Sequence, residues 1–337
     1  MRFGVAGVGR IGVLHAENLA GVVGADSVLV ADVDAARATA VAEKLGTHAV
    51  PDVDALLAAG LAGLVVAVNT DGHADLILRA VQAGVPVFCE KPVAPDIAGT
   101  RAVLDRLRGS DVPVQIGFQR RFDVGYAAAR AAVAAGSLGR LHTVLGFTLD
   151  PEPPPPAYIP GSGGIFRDCA VHDLDILRWV TGQEIVEVYA TGSNLGADYI
   201  REAGDVDAVA ATLTLADGTL AQLSASRYNR AGYDVRMELR GHDDSIVVGL
   251  DSRTPLRSVQ PDGPAGGTAY PGFLDRFRDA YAAEIAAFVR LATERANSEQ
   301  HSNPCTVSDA LAAFVLAEAC ELSRRQHRPV TVAEVSS

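Results

Sequence analysis

The sequence predicts an α/β protein of two domains, in which an N-terminal doubly wound parallel sheet is followed by an α+β domain with a large, mainly antiparallel open sheet. Apolar strand segments alternate with amphipathic helical segments up to residue 120, whereas strand segments follow one another directly after it. The length of 337 residues also exceeds the size at which one hydrophobic core usually keeps growing. We therefore expect domains at 1–120 and 121–337, with C-terminal helices that can pack back on the first domain.

Composition and charge argue against several classes of partner. The net charge of −12 opposes the phosphates of nucleic acids and the anionic surface of membranes. No apolar run approaches the roughly 18 residues of a membrane-spanning helix, and the chain enters a strand pattern without a cationic, apolar leader. We expect a cytoplasmic protein that binds neither nucleic acid nor membrane. Wide spacing of the cysteines predicts reduced thiols and no metal site; they are Cys89, Cys169, Cys305 and Cys320.

The first turn of the chain predicts a dinucleotide site. The apolar run RFGVAGV (2–8) leads into Gly7-Val-Gly9-Arg10-Ile11-Gly12 and then into a helical pattern. Glycines allow the tight turn, the approach of a pyrophosphate and the close packing of helix on strand, and the helix N-terminus supplies amide donors. This is the fingerprint of a Rossmann domain, in which the whole turn contacts the cofactor.

Asp32 decides which cofactor we expect. It ends the strand segment SVLVADVD (27–34), twenty residues beyond Gly12, where a carboxylate accepts hydrogen bonds from the adenosine ribose diol. The same carboxylate repels a 2′-phosphate, so we expect NAD rather than NADP. A surface aspartate after a strand is the alternative interpretation.

Later strand segments place polar side chains at one edge of the parallel sheet. They are LAGLVVAVNT (61–70), PVFCEKPV (86–93) and PVQIGF (113–118), separated by helical patterns. Ligands of such sheets bind at the carboxyl ends of the strands, where the candidate cofactor contacts are Asn69, Thr70, Glu90 and Gln119. His73 is a further candidate, although it can equally lie in the first turn of a helix. His15 is expected at a partly exposed helix position.

The second half reads as a sheet closed by helices. Strands are expected at 142–149, 185–193, 207–229 and 233–250, with a hairpin turn at Asp217-Gly218, and helices at 273–296 and 307–325. One face of the sheet should be covered by helices. The segment PEPPPPAYIPGSGG (151–164) is either a stiff spacer followed by a hinge or a loop that frames a site.

The segment FRDCAVHDLDILRW (166–179) carries ionisable groups inside an apolar run. Asp168, His172 and Asp175 are spaced i, i+4 and i+7, which places them along one face of a helix, whereas Asp173 points elsewhere and is expected to be structural. A buried charge needs a partner, so this face should meet a cation or a cleft. A purely structural Asp–His pair is the alternative.

Lys91 is the second candidate for chemistry. Only Lys44 and Lys91 among the 29 basic residues are lysines, and Pro92 fixes the backbone directly after Lys91. A compact ammonium with a tunable pKa at the end of a parallel strand favours a chemical role over a chance exposed lysine.

These motifs resemble a known family. CEKPV (89–93), GFQRRFD (117–123) and SGGIFRDCAVHDLD (162–175) are similar to the glucose-fructose oxidoreductase, inositol dehydrogenase and MocA (GFO/IDH/MocA) family, and most closely to its bacterial inositol 2-dehydrogenases. The similarity runs from residue 7 to residue 289. It implies that the catalytic group is Lys91, Asp168 and His172. It also implies a cis Lys91-Pro92 peptide, and substrate-hydroxyl binding by Lys91, Arg120, Asp175, Tyr233 and Tyr281. Asp150 is a further candidate, because an extra carboxylate there suits a substrate that carries an amine.

The resemblance implies NAD-dependent oxidation of a secondary ring hydroxyl of a cyclitol to a ketone. His172 would be the general base, Lys91 would bind the same oxygen, and Asp168 would either orient the imidazole or balance the ammonium. Three alternatives stay open: a dehydrogenase of a sugar or aminocyclitol ring in a biosynthetic pathway, a non-catalytic dinucleotide-binding regulator, and NAD-dependent cleavage of glycosides. The open sheet face and the family together imply a homo-oligomer, either a tetramer or a dimer.

Overall fold

A computed structural model of the protein describes residues 1–263, 266–294 and 303–336. Strands and helices alternate in the first part: β1 (Arg2–Ala6), α1 (Arg10–Val23), β2 (Val28–Ala31), α2 (Ala35–Leu45), β3 (His48–Ala49), α3 (Val53–Ala58), β4 (Leu61–Val66), α4 (His73–Gln82), β5 (Val87–Glu90), α5 (Ile97–Arg106) and β6 (Val114–Gly117). The second part begins with α6 (Val124–Ala134), β7 (Leu141–Leu149), α7 (Ile159–Ser162), α8 (Val171–Thr181), β8 (Ile185–Ser193) and α9 (Asp198–Glu202). It continues with β9 (Ala208–Leu215), β10 (Leu220–Ser226), β11 (Asp234–Gly241), β12 (Ser245–Val248), α10 (Phe273–Arg276), α11 (Arg278–Thr293), α12 (Val307–Gln326) and β13 (Val330–Thr331).

The first sheet is the predicted doubly wound parallel sheet. Its six strands lie in the order β3-β2-β1-β4-β5-β6, and all of the pairings are parallel. The central strands are nearly fully buried, as their continuous apolar runs predicted. The chain reverses its direction of winding at β1, so that β1 and β4 are neighbours and their carboxyl ends flank a crevice.

Two compact units divide the chain, and they do not correspond to a single cut in the sequence. The first unit contains Met1–Phe122 together with Asp279–Leu311. Helix α11 belongs to it, since Ile285 and Phe288 complete the hydrophobic core formed by β1, β2 and α1. The ring of Phe288 meets the edge of Phe3 with a centroid distance of 6.3 Å.

The second unit, Asp123–Arg278 with Ala312–Ser337, is built on the other sheet. Its seven strands lie in the order β12-β11-β7-β10-β9-β8-β13. All pairings are antiparallel except that of β7 with β10, which confirms the predicted mainly antiparallel sheet. The β9–β10 hairpin turns at Asp217-Gly218 as expected, and Gly218 has the positive φ of 89° that such a turn requires.

The two faces of this second sheet differ. Along β8, Val188 and Ala190 are buried while Tyr189 is exposed. The exposed face carries a shallow depression of about 340 Å³, lined among others by Leu145, Phe147 and Gln222. Within the part of the chain that the structure describes, no helix is both long enough and apolar enough to cross a membrane.

Candidate functional site

The glycine-rich turn leaves its backbone accessible at the start of α1. Gly7 has a φ of +86°, and a Cβ on it would lie 2.6 Å from the carbonyl oxygen of Ala67. A Cβ on Gly12 would overlap the carbonyl oxygen of Gly7, so helix and strand pack closely only because this residue is glycine. A Cβ on Gly9, by contrast, would meet no described atom within 4 Å. The turn therefore offers open space beside the N-terminal amides of α1, which is what a pyrophosphate needs.

Asp32 is held in place at the end of β2. Its Oδ2 accepts a hydrogen bond from the Val8 amide at 2.8 Å, and its Oδ1 accepts one from the Asp34 amide at 2.9 Å. Arg37 donates from Nη1 to Oδ1 at 3.2 Å. The carboxylate is thus fixed where a ribose diol is expected, beside an arginine that sequence reasoning did not identify. The available signal for Arg37 in the sequence was its position at the start of α2, five residues after Asp32.

His73 is committed to the backbone of two neighbouring loops. The side chain is 2% exposed, with Nδ1 2.7 Å from the carbonyl oxygen of Pro92 and Nε2 3.0 Å from that of Val68. Both partners can only accept, and a neutral imidazole carries one N–H, so it donates to one of the two carbonyl oxygens while its ring lies between the loop after β4 and the loop after β5. The Lys91-Pro92 peptide in this second loop is cis, as the resemblance implied.

The remaining candidates of the first unit lie at the same sheet edge or beside it. Asn69 is exposed, whereas Thr70, Glu90 and Lys91 are half-buried. Gln119 and Arg120 are buried in a single 3₁₀ turn directly after β6. Tyr281 on α11 is 5% exposed, and its ring lies 5.9 Å from that of His15.

The expectation of a partly exposed His15 is wrong. The side chain has no exposed surface, because the buried face of α1 packs against β5. Its Nε2 lies 2.6 Å from Oε1 of Glu90, and its ring contacts Phe88 at a centroid distance of 5.0 Å. A neighbouring carboxyl that sequence reasoning missed, Glu284 on α11, is also fully buried.

In the second unit, the helix predicted to carry Asp168, His172 and Asp175 does not begin as expected. Residues Phe166–Ala170 form a π turn, and α8 begins only at Val171. Asp168 therefore lies in the π turn, while His172 and Asp175 lie in the α-helix. A π turn contains more residues than an α turn, and such turns are frequent at functional sites. His172 is half-buried and Asp175 is fully buried.

Asp168 belongs to a buried ion-pair network. Its Oδ2 accepts from Nη1 of Arg227 at 3.0 Å, and its Oδ1 accepts from the hydroxyl of Tyr158 at 2.8 Å. Arg227 has no exposed surface and donates from Nη2 to Asp205 at 3.2 Å. Burial by itself lowers the pKa of Arg227, but the electrostatic influence of Cys169, Asp168 and Asp205 raises it overall, so this arginine is a permanent cation.

Sequence reasoning missed Arg227, Asp205 and Tyr158. An arginine at the end of a predicted strand was the available signal for Arg227, but nothing local pointed to its partners. Burial, followed by the charge of Asp168, raises the pKa of Tyr158, so its hydroxyl keeps the proton that it donates. Tyr158 lies in the proline-rich segment, and the hydroxyl of Tyr199 donates to the carbonyl oxygen of Pro154 at 3.0 Å. The segment is therefore a loop that frames the Asp168 network rather than a spacer between domains.

The other candidates of the second unit contact different elements, and Asp150 borders the Asp168 network through Cys169. Asp150 lies at the end of β7, where its Oδ2 is 3.5 Å from the thiol of Cys169. Asp173 accepts from the hydroxyl of Thr148 on both carboxylate oxygens, at 2.9 and 2.7 Å, which is the structural role expected for it. Tyr233 is 5% exposed and packs on Phe277 with a ring-centroid distance of 6.5 Å. Among the described residues, no three His, Cys, Asp or Glu side chains form a group that could hold a metal ion.

Comparison with known proteins adds a second kind of observation. Residues 1–118 match the family model for the oxidoreductase family with an NAD-binding Rossmann fold, and residues 126–247 match the GFO/IDH/MocA C-terminal domain. The chain is 37% identical to an inositol 2-dehydrogenase of Rhizobium meliloti, covering 99% of each chain. It is 34% identical to a myo-inositol 2-dehydrogenase of Thermotoga maritima, again covering 99% of each. Among solved structures, a scyllo-inositol dehydrogenase of Lactobacillus casei with bound NAD(H) and scyllo-inositol is 27% identical, covers 99% of each chain and gives a TM-score of 0.86.

Proposed function

The chain belongs to the GFO/IDH/MocA family of oxidoreductases, and on that premise we propose that it oxidises a secondary ring hydroxyl of an inositol-type cyclitol to a ketone with NAD. One observation carries this proposal, namely the similarity over the whole chain to relatives named as inositol 2-dehydrogenases. The bound scyllo-inositol and NAD(H) of the Lactobacillus casei relative support the same ring class and cofactor.

The first unit suits NAD. The open backbone at Gly9, with Arg10 and Ile11 at the start of α1, would hold the pyrophosphate, and Asp32 would hold the adenosine ribose. We assign the contacts nearer the reacting end to Asn69, Thr70, Glu90 and Gln119, with His73 holding their loops together. When bound, NAD supplies the acceptor for the hydride that leaves the carbinol carbon.

We assign the proton chemistry to three residues. His172 removes the proton of the hydroxyl that is oxidised, a role that suits an imidazole because its usual pKa is close to neutrality. Lys91 donates a hydrogen bond to the same oxygen and stabilises the negative charge that develops on it. The charge of Asp168 is already matched by Arg227 and its oxygens are already hydrogen-bonded, so we assign Asp168 to orientation of the imidazole rather than to balancing the ammonium.

We propose that the other ring hydroxyls are bound by polar side chains from both halves of the sequence. These are Lys91, Arg120, Asp150, Asp175, Tyr233 and Tyr281. Arg120 and Asp175 are nearly fully buried, so a hydroxyl bound to either would be held away from bulk water.

The experiment that tests the reaction compares His172→Ala and Lys91→Ala with Lys44→Ala. Lys44 on α2 is the only other lysine, so it controls for the loss of an ammonium. NADH formation with myo- and scyllo-inositol should fall by about 10² to 10⁴ in kcat for the first two variants and stay unchanged for the third. NAD binding, measured by calorimetric titration, should persist in all three. Wild-type kcat in both His172→Ala and Lys91→Ala would remove the mechanism.

A second candidate is a dehydrogenase of an aminocyclitol ring, and Asp150 is the observation that favours it. Its carboxylate at the end of β7 supplies a negative charge that could pair with a ring amine. Steady-state kinetics on inositols, aldoses and aminocyclitols distinguish the two, because Asp150→Asn should raise KM for an aminocyclitol much more than KM for an inositol. No NADH with any polyol would instead favour a dinucleotide-binding regulator, and sugar release without net NADH would favour glycoside cleavage.

We further propose that the protein is a cytoplasmic homo-oligomer, either a dimer or a tetramer. The exposed face of the second sheet supports this, since it presents Leu145, Phe147 and Tyr189 side by side. Light scattering should give a mass of two or four chains, and Phe147→Glu should lower it.

A further inference from the structure

A buried acid–base cluster joins Glu90, which we assigned to the cofactor, to two residues that have no part in the reaction proposed above. Its members are His15 on α1, Glu90 at the end of β5 and Glu284 on α11, all in the first unit. His15 and Glu284 have no exposed surface, and the Glu90 side chain is only 14% exposed. Two carboxyl groups that share a buried space with one imidazole cannot all be charged without a large cost.

The contact between His15 and Glu90 fixes one proton. Nε2 of His15 lies 2.6 Å from Oε1 of Glu90, whereas Nδ1 has no hydrogen-bond partner among residues 1–263, 266–294 and 303–336. A proton on Nε2 alone satisfies this geometry, because a second proton on Nδ1 would be a buried donor without an acceptor. His15 therefore donates to Glu90, and Glu90 accepts as a carboxylate.

Glu284 then carries the other proton. Neither of its carboxyl oxygens makes a hydrogen bond of good geometry within the described part of the chain. Burial, and after it the charge of Glu90, raise the pKa of Glu284 well above its usual 4.5. The amide of Phe118 lies close enough to favour the ionised form, but it opposes this shift only in part.

In the described part of the chain, two titratable neighbours of the cluster, Cys89 and Tyr281, add no positive charge to it. Burial and then Glu90 raise the pKa of the Cys89 thiol on β5, which stays neutral. Tyr281 on α11 presents its ring to His15. Gly117 on β6 pairs with Glu90 on β5, and a Cβ on Gly117 would lie 3.2 Å from both Cδ and Oε2 of Glu90. The Glu90 carboxylate is thus enclosed by α1, α11 and a strand position that has no side chain.

Resting on the proposed function, we propose that Glu284 is a positioning residue that is held neutral. Together with His15, it keeps Glu90 ionised and fixed at the end of β5, directly before Lys91. It acts through Glu90 and touches neither substrate nor cofactor. A rigid Glu90 fixes the backbone of the next residue, and small errors in the placement of a catalytic group can cost about 10²-fold in rate.

The first test measures the protonation of Glu284 without any substrate. Glu284→Gln replaces a neutral acid by a neutral amide, and Glu17→Gln on the exposed face of α1 is the matched control. Infrared difference spectra of wild type against Glu284→Gln at pH 7 should show the carbonyl stretch of a protonated carboxyl group, and those against Glu17→Gln should not. Absence of that band overturns the proposal.

Unfolding equilibria give a second readout of the same proton. Above the usual pKa of 4.5 the unfolded wild type releases this proton and the folded protein keeps it, so stability falls as pH rises towards the raised pKa. The unfolding constant of wild type relative to that of Glu284→Gln should therefore rise by up to about tenfold per pH unit from about pH 5 upwards. A ratio that does not change with pH contradicts a neutral Glu284.

Kinetics test the positioning role. Glu284→Leu keeps the volume but removes the polar group, so kcat should fall about 10- to 100-fold, the pH profile of kcat should shift, and KM for NAD should stay within about twofold. Glu284→Gln should restore kcat, because its neutral amide has the same shape and polarity as the protonated carboxyl group beside Glu90. Equal losses in the Gln and Leu variants overturn the positioning role. If Glu284→Leu does not fold, His15→Leu replaces it, since removal of the Nε2 donor to Glu90 should shift the same pH profile, and an unshifted profile overturns the role. The infrared and unfolding readouts need no turnover, so they separate failure of this inference from failure of the proposed reaction.

Discussion

Replacement of Arg227 by methionine tests the buried network around Asp168. The change removes a guanidinium that has no exposed surface and lies 3.0 Å from Asp168 and 3.2 Å from Asp205. Methionine fills similar space without a charge, so two carboxylates with little exposed surface lose their common cation. Breaking a buried ion pair by removing one partner costs about 3–5 kcal/mol, and we expect Arg227→Met to lose this much free energy of unfolding at pH 8.

The loss should depend on pH in one direction. In the variant, buried carboxyl groups without a cation hold their protons, so their folded-state pKa lies above the unfolded value of about 4. The unfolded chain releases these protons above that value and the folded variant does not, so the deficit grows as pH rises and nearly disappears as pH falls towards 4. Each proton retained adds about 1.4 kcal/mol per pH unit within that window.

Urea unfolding at pH 5 and pH 8 is the assay. Arg230→Met, an exposed arginine three residues further on, should change the free energy of unfolding by less than about 0.5 kcal/mol. The double variant Arg227→Met/Asp205→Asn should recover part of the loss, because only one carboxylate is then left without a cation. A deficit below about 1 kcal/mol at pH 8, or an equal deficit at both pH values, would refute the reasoning.

Two further predictions concern the cofactor half. Asp32→Ala removes the ribose acceptor and frees Arg37 from its ion pair at 3.2 Å. The ratio of kcat/KM with NAD to kcat/KM with NADP should therefore fall by about 30- to 100-fold. A change of less than threefold would show that Asp32 does not set the cofactor preference. Gly12→Ala forces a methyl group into the carbonyl of Gly7 and should cost about 1–3 kcal/mol in thermal or urea unfolding. Gly9→Ala meets open space and should be nearly neutral for stability, so an equal loss in both variants would contradict the packing argument.

Local patterns predicted the elements of both sheets closely. The strands expected at 142–149 and 185–193 are β7 (Leu141–Leu149) and β8 (Ile185–Ser193), and the hairpin turn lies at the expected Asp217-Gly218. The helix expected at 273–296 is divided into α10 and α11, and its last two residues lie outside those that the structure describes. The two-residue β13 was missed, because Val330–Thr331 is too short to show a strand period and forms only through its pairing with β8.

The sequence by itself determined the fold class, the glycine-rich turn, Asp32 and the segments that carry Lys91 and His172, because each depends on spacing within one strand, turn or helix. Only the tertiary structure decided what those groups contact. Arg227 reaches Asp168 across 59 residues, and Glu284 lies close enough to Glu90 for the charge of Glu90 to raise its pKa, although the two are far apart in the sequence. The π turn that contains Asp168 was equally invisible in the i, i+4 spacing. Burial and long-range partners set the charge of an ionisable group, and no local pattern of residues encodes them.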